Sequence, residues 1–300
     1  MIRLVALLIG SLVAGAATAQ VTLTKGTNFS VDVASDDRLA IDLLGRIWEL
    51  PSTGGKAQAL TDGDLWAGRP RWAPDTSAIV FQARSGNQEQ LWLYRFAGES
   101  LQNISDGQFF DQQPAWHPAG DRITFSSDRG DTGFDLWEHD VATGLTWRIS
   151  GLPGDETEPA WSSNGRDLIF VHTQENRWSL MLRRHGQPHR ALVTSSTPLM
   201  SPSWRPDGSL ITYQQQGETG IAVKMVILSD PLLVRPLITG EDFFVAPVAW
   251  KDRHRMLYTA NGLIRMREFN SWTSSKVPFR ARVVREDKPQ RVAASNRQLP

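Results

Sequence analysis

The chain has no cysteine. Disulfides, thiolate metal sites and thiol nucleophiles are therefore excluded, and stability must come from a packed core. Net charge is missing as well, because 32 Lys and Arg balance 32 Asp and Glu. A dedicated nucleic-acid binder, or a protein that docks on anionic membranes, carries a basic excess that this chain lacks. Tyrosine is scarce at 3, whereas tryptophan reaches 12. No apolar run beyond the first twenty residues approaches the length of a membrane-crossing helix, so no membrane insertion is expected. Nor does any window sustain a helical period. Even "IAVKMVILSDPLLV" from Ile221 is β-branched and is broken by Pro231, as a strand, turn and strand would be.

The first twenty residues have a different character from the rest. Arg3 is followed by the apolar run Leu4 to Val13 and by small residues ending Ala17-Thr18-Ala19. That order predicts a secretory signal peptide over 1–19, cleaved after Ala19, and hence an exported, periplasmic chain. No cysteine follows to carry a lipid.

The remainder repeats. "RPRWAPDTSAIVF" begins at Arg69, "QPAWHPAGDRITF" at Gln113, "EPAWSSNGRDLIF" at Glu158, "SPSWRPDGSLITY" at Ser201 and "APVAWKDRHRMLY" at Ala246. The marker tryptophans are Trp72, Trp116, Trp161, Trp204 and Trp250. A fainter copy from Phe29 has Val33 in the marker position, which makes six units. Within one unit, "PAWH", "RITFSS", "FDLWEHD" and "LTWRIS" read as strands separated by Gly, Pro and Asp turns. Four strands per unit, repeated six times, predict an all-β, six-bladed β-propeller of four-stranded antiparallel blades over 20–279. The marker Trp should wedge between neighbouring sheets.

An apolar residue followed by Thr or Ser precedes each later marker at a similar distance, as in Leu60-Thr61 and Ile104-Ser105. Leu23-Thr24 supplies the same pair ahead of Val33. The N-terminal "VTLTKG" is therefore expected to complete the last blade and close the ring, with Lys276 to Val283 as the alternative. The tail over 280–300 holds six basic and two acidic residues and is expected to be disordered or to begin a linker.

"WHPAGDRITFSSDRGDTGFDLWEHD" and "WRPDGSLITY" resemble the repeat of the TolB-like, WD40-like (PD40) propellers of bacterial periplasmic proteins. The resemblance runs from Val21 to about Phe279. The opening of the chain and "VPFRA" near its end also look similar to the propeller that precedes a metal-dependent amidohydrolase domain in some exported fusion proteins. The propeller resemblance implies a non-catalytic module that binds a protein or peptide through the loop face around the channel; the second likeness implies, as the alternative, an accessory or gating propeller for an amidohydrolase domain that would lie beyond Pro300.

No catalytic set accompanies the repeat. The six histidines contain no His-x-His pair, and His185 and His189 flank a hairpin turn. No G-x-S-x-G elbow occurs. Asp128, Asp131 and Asp135 lack calcium-loop spacing and read as a turn. No metal, no cofactor and no catalytic residue is expected, and the chain is expected to be monomeric. The candidate binding residues lie between blades, in "DGDLWAGRP", "DGQFFDQQP" and "GEDFFVAP". Trp66, Phe110 and Phe243 each sit four residues before the proline of the next strand, with Asp64, Asp111 and Asp242 beside them. Such loops gather around the mouth of a propeller channel, where they would form an aromatic and acidic rim.

Overall fold

The computed structural model describes residues 19–105, 107–130 and 133–285. Most of the expected signal peptide and the tail beyond 285 lie outside the described residues. Strand β1 (Ala19–Leu23) precedes the first repeat. Blade 1 is built on β2 (Val31–Val33), β3 (Arg38–Leu43), β4 (Arg46–Pro51) and β5 (Gly55–Ala59). Blade 2 comprises β6 (Ala67–Trp72), β7 (Ala78–Ser85), β8 (Gln88–Arg95) and β9 (Ser100–Asn103). Blade 3 follows with β10 (Asp111–Trp116), β11 (Arg122–Ser127), β12 (Asp135–Asp140) and β13 (Thr146–Arg148). Blade 4 holds β14 (Asp155–Trp161), β15 (Asp167–Gln174), β16 (Arg177–Arg184) and β17 (Arg190–Ser195). Blade 5 holds β18 (Leu199–Trp204), β19 (Leu210–Gly217), β20 (Gly220–Ile227) and β21 (Leu233–Ile238). Blade 6 ends the series with β22 (Ala249–Trp250), β23 (Arg255–Ala260), β24 (Leu263–Glu268) and β25 (Ser274–Val277). Strands pair in sequence order within every blade, so the six-bladed, four-stranded antiparallel propeller is as the repeats predict.

Six apolar clusters hold the ring together, one at each seam between neighbouring blades. This explains why the second strand of a unit reads as a continuous apolar run. In β7, Ile79 and Phe81 face blade 1, whereas Ala78 and Val80 face blade 3. Both sides of the sheet are covered, so alternation between core and solvent gives way to alternation between two seams. The marker tryptophans lie at these seams, and three of them bond back to the preceding blade. Trp116 Nε1 donates to Arg71 O at 3.1 Å, Trp161 Nε1 to Thr124 Oγ1 at 2.8 Å and Trp204 Nε1 to Ala160 O at 3.1 Å.

The ring closes differently from the expectation. Blade 6 has its own fourth strand, β25, paired with β24 from Ile264↔Val277 to Arg267↔Ser274. After Pro278 the chain passes directly into β26 (Phe279–Arg285), which joins the outer edge of blade 1 parallel to β5. The N-terminal β1 then pairs antiparallel with β26 and forms the outermost strand of this six-stranded sheet. Thus "VTLTKG" does not complete the last blade; the alternative stretch, Lys276 to Val283, instead contributes the end of β25 and most of β26, and Arg280 to Arg285 are strand rather than disordered tail. The physical reason lies in Phe279 and Ala281, which are buried in the closing seam with Leu257, Ile264 and Val277 of blade 6. A Cβ on Gly54 would strike the Pro278 carbonyl, so the crossing needs glycine there. Lys251 Nζ of blade 6 also ties the two blades, 2.7 Å from Asp37 Oδ1 and 3.1 Å from Ser52 Oγ of blade 1.

Candidate functional site

The innermost strands converge on a central channel. Four of them carry the same four-residue pattern, a polar residue, proline, any residue and the marker tryptophan: "RPRW", "QPAW", "EPAW" and "SPSW". In each, the register shifts just before the tryptophan, marking a β-bulge. The residue before proline takes a left-handed backbone: Arg69 at φ 52°, Gln113 at 58°, Glu158 at 57° and Ser201 at 54°. Proline cannot donate to the ladder, so a bulge that leaves its position unpaired is tolerated there. The amide freed by the bulge finds a partner on another blade. Arg69 N donates to Asp42 Oδ2 at 3.0 Å and Gln113 N to Gln82 Oε1 at 2.9 Å.

The channel cavity, about 390 Å³, is lined by Asp32, Arg69, Arg71, Gln113 and Glu158 among others. Arg69 of blade 2 reaches Glu158 of blade 4, with Nη1 2.9 Å from Oε2, and its Nη2 lies 3.4 Å from Val245 O. This ion pair spans the channel near its mouth. Burial disfavours the Arg69 charge, yet Glu158, helped by Asp42 and Glu89, holds the guanidinium above its ordinary value. Arg71 has no ion-pair partner among the described residues; burial pushes it below its ordinary value although Asp32 opposes the shift. Burial likewise pushes the carboxyls of Asp32 and Asp42 above the usual range. These residues were missed in the sequence, although the fourfold polar-Pro-x-Trp pattern is a readable signal for them.

The expected rim divides. Because strands alternate in direction, the links between blades and the hairpins between second and third strands share one end of the propeller. Trp66 is 72% exposed there, and Phe110 is 40% exposed beside Phe109 at 41%. Trp66 follows a short 3-10 turn (Gly63–Leu65) and itself has a left-handed backbone at φ 46°. The blade 1 hairpin at Leu44, 61% exposed, lies against it through the Ala67 N–H to Gly45 O bond of 2.8 Å. Asp64 and Asp242 are exposed.

Phe243 and Asp111 do not belong to that rim. Phe243 is only 5% exposed and packs among Val223, Leu237, Ile238 and Tyr258, because its loop runs alongside β23. Asp111 is fully buried, and its Oδ2 lies 2.6 Å from Arg129 Nη2. Its place is an internal ion pair that holds the Phe109 loop, with Arg129 stacked over the Phe109 ring at 5.2 Å.

Among the described residues, no three or more His, Asp or Glu side chains are grouped to hold a metal ion. His185 is exposed, whereas His189 sets its ring edge against Phe170 at 5.7 Å. Asp135 is ion-paired with Arg148 of β13 at 2.7 Å and Asp128 accepts from Phe110 N, just before β10, at 2.8 Å, so both tie the hairpin to its neighbours; Asp131 lies outside the described residues. No helix among the described residues is long and apolar enough to cross a membrane.

The structure of TolB from Acinetobacter baumannii superimposes with a TM-score of 0.65 at 14% identity, covering 84% of this chain and 65% of that one. This chain therefore spans about two thirds of the length of that protein. A TolB-type protein from Agrobacterium tumefaciens aligns with a TM-score of 0.62 at 16% identity, over 83% of this chain and 91% of the other. An oligogalacturonate lyase solved with manganese aligns with a TM-score of 0.57 at 13% identity, over 95% of this chain and 90% of the lyase. At these identities the likeness is one of fold. The family model of the TolB beta propeller domain (PD40), in contrast, matches residues 49–252, most of the ring, and the chain belongs to that family.

Proposed function

We propose that this chain is a non-catalytic, exported binding module that holds a protein or peptide partner on the face carrying the channel mouth. The observation that carries this reading is Trp66, kept 72% exposed on a left-handed backbone at that face. A large indole left in water, on a conformation that costs about 1–2 kcal/mol for a residue with a Cβ, is a feature that folding alone does not favour. Phe110 and Phe109 extend the apolar surface, and Asp64 and Asp242 supply negative charge. The partner implied has apolar anchors flanked by basic residues. Below the mouth, the Arg69–Glu158 pair offers both a donor fork and an acceptor to a chain end or side chain that enters the channel. A lyase on the same fold means that the propeller by itself does not decide between binding and catalysis. What favours binding here is the apolar and acidic surface at the channel mouth.

The test is capture of a partner from periplasmic extract by the immobilised chain, followed by identification and a measured affinity. The Trp66→Ala/Phe110→Ala variant should bind at least tenfold more weakly, about 1.4 kcal/mol, with an unchanged melting curve. Equal affinity in both proteins would move the binding face elsewhere.

A further inference from the structure

The opposite face of the propeller carries a second cavity, of about 660 Å³, in the cleft between blades 3 and 4. Its origin is readable in β11. Ile123 and Phe125 point into the seam with blade 2, while Thr124, on the other side of the strand, meets Trp161 of blade 4. Arg122 and Ser126 share the side of Thr124 by strand alternation. Blade 3 therefore turns a polar surface toward blade 4. The consequence is a sparse seam: three buried apolar side chains, Leu136, Leu168 and Phe170, against fourteen in the closing seam, among the described residues. At one end the blades stand apart, and arginines line the gap.

Arg122, Arg166, Arg183 and Arg184 border the cavity, with His117 and His185, while the carboxylates there are Glu138 and Asp167. Arg122 is engaged by Glu138 at 3.3 Å and by the neighbouring Asp121 at 3.4 Å, and Arg184 by Asp167 at 3.2 Å. Arg166 and half-buried Arg183 have no acidic partner among the described residues. Two guanidiniums without a carboxylate partner thus border one cavity. Trp147, 37% exposed, forms an aromatic wall beside them.

We infer that this cleft is a binding site for a small ligand bearing two or more oxyanion groups, with Arg166 and Arg183 as its anchors. Guanidinium groups present paired donors that match carboxylate and phosphate oxygens, and a partly enclosed cavity reduces the screening by water that would weaken them at an open surface. The site is separate from the channel mouth, and the inference stands whether or not that face binds a partner.

Calorimetric titration at low ionic strength tests it, with citrate as the carboxylate probe and pyrophosphate as the phosphate probe. The wild-type chain should bind one equivalent of at least one probe, and the preferred probe identifies which oxyanion the cleft is built for. Arg166→Gln/Arg183→Gln should weaken binding at least tenfold. Arg235→Gln, at an exposed arginine on the outer strand of blade 5, should leave it unchanged. If the double variant does not fold, Arg166→Gln alone, in an exposed turn, should still weaken binding severalfold. The site is overturned if neither probe binds the wild type, if the cleft variants bind as the wild type does, or if Arg235→Gln causes the same loss.

Discussion

Trp66 and Phe243 each stand four residues before the proline that leads into the next blade, yet one is 72% exposed and the other 5%. The difference comes from the strand that each one precedes. Blade 2 has a full inner strand of six residues, β6, so its incoming loop has no structural gap to fill and lifts Trp66 away on a 3-10 turn. Blade 6 has only the two residues of β22. There the incoming loop replaces the missing strand: Phe243 bridges to Ala260, Asn261 N donates to Asp242 O at 2.8 Å, and Phe244 N to Thr259 O at 3.4 Å. The ring of Phe243 then falls 5.7 Å from that of Tyr258. Burial pushes the Tyr258 hydroxyl up to about 12, so it stays protonated and donates to Glu241 Oε1 at 2.8 Å on the same loop. Here a loop aromatic stays exposed where the blade beside it is already complete and is buried where the loop stands in for a strand.

The largest test of this contrast is Phe243→Ala. Removing a ring packed between blades 5 and 6 should cost about 3–5 kcal/mol of unfolding free energy in urea, because the surrounding strands can collapse only partly into the void. A loss below about 1 kcal/mol would return Phe243 to the rim. Asn261→Ala should cost less, about 1–2 kcal/mol. It removes the side-chain acceptor of Asp242 N, at 3.1 Å, and places alanine on a left-handed backbone at φ 52°. Hydrogen exchange should show faster opening at Asp242 and Phe243, with blades 2 and 3 unaffected.

How far the sequence reveals this architecture follows from the range of each interaction. The blades are legible because a unit is local: turn residues, apolar runs and a marker Trp all recur within one repeat. Closure is misread because Leu23-Thr24 imitates the end of a fourth strand, whereas the deciding contacts join Phe279 and Ala281 to residues of blade 6 and blade 1 far away in the chain. Burial of Asp111 is invisible for a similar reason, since its partner Arg129 lies across a hairpin. The channel could have been found, because Arg69, Gln113, Glu158 and Ser201 share the position before proline in four copies. The arginine cleft could not, since its lining comes from two repeats and depends on how those blades diverge.

The smallest expected effect is at Trp66, and it concerns strain. With 72% of its surface in water, the side chain contributes little to the core, so Trp66→Ala should change stability by no more than about 0.5 kcal/mol. Its backbone, at φ 46°, is the costly part, and alanine inherits that cost. Glycine does not. Trp66→Gly should therefore be more stable than Trp66→Ala by up to about 1 kcal/mol, even after the greater freedom of glycine in the unfolded chain is counted against it. A glycine variant that is more stable than the wild type but binds its partner less tightly would show that the strain is maintained to display the indole. If Trp66→Ala instead lowers stability by more than about 1.5 kcal/mol, Trp66 supports the Leu44 hairpin beside it, and the two loops differ in degree rather than in role.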